Sequence, residues 1–129
     1  GLIWSTNVEP SNANDVANPT ENVSPIITTS SSPQKVKFAK FLSENNIVMY
    51  SAYWCPHCHD QKQLFGKKAV KELKVVECAK DGKDNEYELC QTKGINGFPS
   101  WEINGEIISG TRDLNELATK SDYQGDINF

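Results

Sequence analysis

The chain has 129 residues, 13 of them basic and 17 acidic, for a formal net charge of −4, which sets it as one domain with a modest core. The first 32 residues hold no Lys or Arg and are net −3; the remainder is net −1, without the basic footprint of a nucleic-acid binder. No stretch approaches the roughly 20 apolar residues that a membrane-crossing helix needs.

The chain opens on Gly1-Leu2-Ile3-Trp4, a short apolar start that reads either as the trimmed end of a membrane helix or as a cleavage boundary. Residues 5–32 are rich in Ser, Thr, Asn and Pro and have little to bury, so residues 1–32 are expected to be a flexible linker and 33–129 the domain. Ser32-Pro33 is an N-cap followed by proline at the first helical position, and Phe38, Phe41 and Leu42 supply an apolar stripe ending near Asn45-Asn46. Ile47 to Ser51 is a buried strand.

Then comes Trp54-Cys55-Pro56-His57-Cys58, followed by a helical pattern to Leu73. Its periodicity turns Leu64, Phe65, Val70 and Leu73 inward and Lys62, Lys67, Lys68 and Lys71 outward; Gly66 weakens the helix or marks a close contact. Val75 to Cys78 is a short strand, Asp81-Gly82 a turn, and Asp84 to Lys93 a helix closed by Gly94. Ser100–Ile103 and Glu106–Ser109 flank Asn104-Gly105, the strongest short hairpin signal. Asp113 with Glu116 opens a last helix carrying Leu114, Leu117 and Ala118. The order predicts an α/β fold: a mixed four-stranded sheet flanked by helices on both faces.

A strand that feeds Cys-x-x-Cys at a helix start is a redox arrangement. Cys55 sits where unpaired N–H groups and the positive end of the helix dipole favour a thiolate, which makes it the nucleophile and the exposed sulfur. Cys58, one turn in, is its resolving partner, and exchange runs through a mixed disulfide on Cys55. Pro56 and His57 tune the pair, because a cation beside a thiolate stabilises it and makes the disulfide a stronger oxidant. Cys78 and Cys90, at a strand end and on the next helix, are expected to form a structural disulfide worth about 3 kcal/mol. A second redox pair or two free thiols are the alternatives.

Two other chemistries compete. Cys55 to His59 matches the Cys-x-x-Cys-His pattern of haem attachment, but the distal ligands on offer, Met49 and His57, lie in the apolar strand and in the motif itself. A zinc site of all four cysteines lacks the usual paired-knuckle spacing, so no metal is expected.

Trp54 to Cys58 and Phe98-Pro99 resemble the active-site motif and cis-proline loop of the thioredoxin superfamily. Tyr53 to Lys62, Glu77-Cys78, Asp81-Gly82, Cys90, Gly97 to Gly105 and Ser109-Gly110 resemble one branch, over about residues 34–125. That branch is the thioredoxin-like domain fused, in cyanobacteria and plastids, to a membrane-embedded homologue of vitamin K epoxide reductase. The resemblance implies a thiol-disulfide oxidoreductase that oxidises cysteine-containing substrate proteins. It also implies reoxidation by a quinone-coupled membrane partner, possibly within the same chain, with no cofactor bound by this domain. The setting would be extracytoplasmic, in a periplasm or thylakoid lumen, tethered to the membrane. Trp54, Phe98 and Pro99 would bind substrate, with a cis bond before Pro99. Reducing thioredoxins carry a buried Asp six residues before the first cysteine; Met49 stands there, which tilts the expectation towards oxidation. A reductase, an isomerase or a non-catalytic binding module of the same fold are the alternatives.

Overall fold

The computed structural model describes residues 22–129; the apolar start and most of the expected linker lie outside the described residues. Helix α1 (Pro33–Glu44) begins where the Ser32 hydroxyl accepts from the Lys35 N–H, with Pro33 in the first turn. Strand β1 (Val48–Ser51) leads into α2 (Pro56–Phe65), and α3 (Lys67–Val70) continues it after a break. Strand β2 (Lys74–Glu77), α4 (Tyr87–Thr92), the hairpin β3 (Ser100–Ile103) and β4 (Glu106–Ser109), and α5 (Leu114–Lys120) complete the order.

The four strands form one mixed sheet in the order β2-β1-β3-β4. β1 pairs parallel with β2, which requires the α2–α3 crossover; β1 with β3 and β3 with β4 are antiparallel. The period of two splits the side chains between two cores. Met49, Val75, Trp101 and Ile108 join Phe38, Leu42, Phe65, Leu114 and Leu117 on the face covered by α1, α2 and α5. Tyr50, Val76 and Ile107 meet Cys78, Cys90 and Ile95 on the α4 face. This is the expected α/β architecture.

Three local expectations change. Gly66 ends α2 outright: its φ of +93° and ψ of 170° lie in a region that other residues avoid, and an added Cβ would overlap the Ser30 carbonyl. The third helix starts at Tyr87 rather than Asp84, because Asn85 bonds the Lys80 and Gly82 carbonyls and the Tyr87 N–H instead of entering a helix. Leu64 is exposed and Lys62 is buried, the reverse of the faces read from periodicity.

The cause of that reversal is a segment from Asn22 to Ser31 that lies along α2. Gln63 is bonded to the Thr28 and Thr29 amides and hydroxyls. The Thr29 carbonyl accepts from the Lys67 N–H, while Ser31 Oγ donates to the Phe65 carbonyl and accepts from the Ala69 N–H. Gly66 is the close approach that lets this segment pass.

Candidate active site

Cys55 is the N-cap of α2. Its Sγ accepts the Cys58 N–H at 3.4 Å, so the sulfur satisfies one of the helix's unpaired donors. The same sulfur lies 3.7 Å from the Phe98 carbonyl oxygen, on the loop where the Phe98–Pro99 peptide bond is cis. That loop lies against Cys55, which is only 7% exposed, so the sulfur expected to be exposed is buried. Trp54, 58% exposed, stacks edge-on against Phe98 at 5.9 Å between ring centres. Pro56 and His57 are exposed on the first turn of α2, and the His57 carbonyl accepts from the Thr111 hydroxyl.

Cys58 is 1% exposed, and both it and Cys55 are free thiols in this structure. Burial pushes the Cys58 thiol up to about 11, because the charged form loses its hydration. The Ser51 hydroxyl and Ala52 backbone pull the other way without cancelling it, and Ser51 Oγ makes no hydrogen bond of ordinary geometry. Met49, six residues before Cys55, is fully buried in β1 between Val75 and Trp101. No carboxylate occupies that position.

Two residues that the sequence reading passed over hold the site in place. Gln61 is fully buried: its Oε1 accepts from Trp101 Nε1 and the Arg112 N–H, and its Nε2 donates to the Arg112 carbonyl. It ties α2 to the core tryptophan and to the loop that also reaches His57. Lys62, 7% exposed, lies one turn after Cys58 on the same face of α2, and its Nζ donates to Ser24 Oγ. Burial lowers its pKa, opposed by negative charge at Cys58, Glu77 and Cys55. A spacing of four from Cys58 is the signal that would have found Lys62. Glu77 accepts from the Tyr53 and Ala79 N–H groups and so fixes the loop before Trp54.

Cys78 and Cys90 form a disulfide with their Cα atoms 5.7 Å apart. It joins the end of β2 to α4, on the sheet face opposite α2. With these two sulfurs joined, a four-cysteine zinc site is gone. Among the described residues, no group of three or more His, Cys, Asp or Glu could hold a metal ion.

Comparison with known proteins agrees with this geometry. The thioredoxin family pattern matches residues 28–122. Thiol-disulfide oxidoreductase LTO1 of Arabidopsis thaliana is 42% identical over 78% of this chain, which spans 27% of that relative's length. Glutaredoxin-1 of Saccharomyces cerevisiae is 35% identical over 67% of this chain and 84% of its own. A mutant thioredoxin from Halobacterium salinarum NRC-1 superposes with a TM-score of 0.46 at 17% identity, over 88% of this chain and 99% of that one, too loose a likeness to bear on the reaction. With a family pattern covering most of its length and a full-domain relative above 30% identity, the chain belongs to the thioredoxin family.

Proposed function

We propose that this chain is a thiol-disulfide oxidoreductase whose Cys55–Cys58 pair oxidises protein dithiols. The observation that carries the reading is the placement of Cys55 Sγ. It caps α2 beside the Phe98 carbonyl, with Cys58 buried one turn behind it.

A substrate thiolate attacks Cys55 Sγ of the disulfide form; the Cys55–Cys58 bond breaks, and Cys58 leaves as a thiolate that takes up a proton. The substrate's second thiolate then attacks the substrate sulfur of the mixed disulfide and releases Cys55. Two electrons and two protons pass from substrate to domain. Trp54, Phe98 and Pro99 line the approach, Pro56 and His57 set the environment of Cys55, and Cys78–Cys90 serves as a structural brace.

The direction is oxidative on two grounds. Met49 supplies no base to Cys58, and burial keeps that thiol protonated, so reductive escape from a mixed disulfide is slow. Likeness to the thiol-disulfide oxidoreductase from Arabidopsis supports the reaction class, and the motif resemblance from Tyr53 to Gly110 supports reoxidation by a quinone-coupled membrane partner of the vitamin K epoxide reductase family. The domain then works outside the cytoplasm, in a periplasm or thylakoid lumen, tethered to the membrane; residues 33–129 are its working unit, and of the expected linker 1–32 the part from Asn22 to Ser31 packs against α2 as an extension of that unit.

With Cys58 replaced by Ala and Cys55 loaded with 2-nitro-5-thiobenzoate, a substrate thiolate is expected to displace the coloured thiolate and stay trapped as a mixed disulfide on Cys55. No trapped species would refute the mechanism. Equilibration with glutathione tests the direction: a potential near the −270 mV or so of thioredoxin would defeat the oxidase reading and leave a reductase.

A further inference from the structure

Charge is unevenly placed along this chain. Residues 33–74 carry eight lysines against three acids, whereas residues 75–129 carry five basic and eleven acidic residues. The fold gathers the positive part on one side, because α1 and α3 pack against each other. Lys37 and Lys40 of α1 and Lys68 of α3 line one open groove, with Ser31, Pro33 and Val36. Lys67 and Lys71 line the next, with Ile26, Ile27 and Val70. All five lysines are exposed, and none is in an ion pair among the described residues. The acids nearest in sequence are Glu44 and Glu72, and Asp126 borders Lys37 from the C-terminal side while bonded to Gln34.

The second feature of this face is apolar. Ile26 is 82% exposed and stands beside Lys67 and Lys71, and Val23 of the same segment is also exposed. An isoleucine so exposed gains nothing from the fold. Apolar side chains set among lysines on one face are the composition of an interfacial membrane contact, in which cations meet anionic headgroups and the apolar group enters the acyl boundary. A nucleic-acid surface would interleave aromatic rings for base stacking, and no aromatic residue lines either groove. The dithiol lies at the opposite end of α2 from Gly66 and α3, about 15 Å away along ten residues of helix. A domain resting on this face therefore leaves Cys55 open to protein substrates.

We propose that the α1–α3 lysine face, with Ile26 beside Lys67 and Lys71, docks the domain on an anionic lipid bilayer. This contact stands apart from the redox reading and would hold whichever direction the dithiol works. Each lysine close to an anionic bilayer raises partition about five-fold, so three of them are worth on the order of a hundred-fold.

The test is co-sedimentation of the full 129-residue chain with vesicles of phosphatidylcholine alone or with about a third phosphatidylglycerol. Binding is expected to the anionic vesicles only, and to weaken as salt shortens the reach of the charges. Lys40→Glu, Lys68→Glu and Lys71→Glu together should lower it by on the order of a hundred-fold or more. A matched reversal at Lys80 and Lys120, neither of which lines these grooves, should leave most of it, Lys93 being kept because it pairs with Glu102. Ile26→Ser should weaken it several-fold. Near-ultraviolet circular dichroism confirms the fold of each variant, and the corresponding Lys→Gln triple substitutes if the Glu variant fails to fold. Absence of binding to anionic vesicles at low salt, equal binding to neutral vesicles, or equal loss in the matched reversal would each overturn the proposal.

Discussion

Burial of Cys58 sets a rate that can be measured. Once a mixed disulfide forms on Cys55, release by the domain's own second thiol needs the Cys58 thiolate. In the free dithiol its pKa rises from 9.0 to about 11, chiefly through burial, which is the cause that persists once Cys55 is held in a mixed disulfide. Two units cut the thiolate population at pH 7 about 100-fold, to about one molecule in 10,000. A more basic thiolate is also a better nucleophile, and a Brønsted slope of about 0.4–0.5 returns about six- to ten-fold. The net expectation is release about ten- to fifteen-fold slower than from an unperturbed cysteine in the same place. The assay loads Cys55 with 2-nitro-5-thiobenzoate and follows the coloured thiolate as Cys58 displaces it. As pH rises, the thiol loses its proton and the rate should climb about ten-fold per unit, levelling only near pH 11. Levelling at or below pH 9 would show that burial does not govern Cys58 and that reductive escape is not slowed by it.

Three further outcomes follow from the packing. Gly66→Ala meets both a forbidden backbone region and the Ser30 carbonyl, whereas Gly94, at φ +72°, has nothing within 4 Å of an added Cβ. Urea unfolding should show about 3 kcal/mol or more lost at Gly66 against about 1 kcal/mol for Gly94→Ala, and equal losses would mean that the segment from Asn22 to Ser31 does not pack there. Cys78→Ala with Cys90→Ala should cost about 3 kcal/mol of stability while substrate oxidation by the folded protein stays within about two-fold. Lost turnover in that folded variant would make the second pair a relay. Gln61→Leu orphans the Trp101 indole N–H and the Arg112 amide, so thermal or urea unfolding should register a loss of about 3 kcal/mol. A loss below about 1 kcal/mol would show that water replaces the amide.

Much of the site could be read from the sequence because its signals are short-range. Ser32-Pro33 caps α1, Asn104-Gly105 turns the hairpin with φ of +51° and +82°, and Cys55 and Cys58 fall three apart at a helix start. Each depends on residues within one turn of one another, so the sequence carries the whole cause. The mixture of a parallel pair and an antiparallel hairpin followed as well, since a parallel pair needs a crossover and a hairpin does not, whereas the order of the strands was decided by the fold.

The faces of α2 were a different matter. Periodicity assigns Lys62 outward and Leu64 inward, but which side of a helix is covered depends on what arrives there. The segment bearing Ser24, Thr28, Thr29 and Ser31 comes from 34 to 38 residues away and covers the lysine side. The Gln61 network likewise joins residues 40 and 51 positions apart. So the sequence by itself determined the motif, the caps, the turns and the order of the elements. Only the tertiary structure decided which side chains of the active-site helix are buried, and hence that Cys58 loses its proton so reluctantly. Burial is set by distant neighbours, and desolvation follows burial.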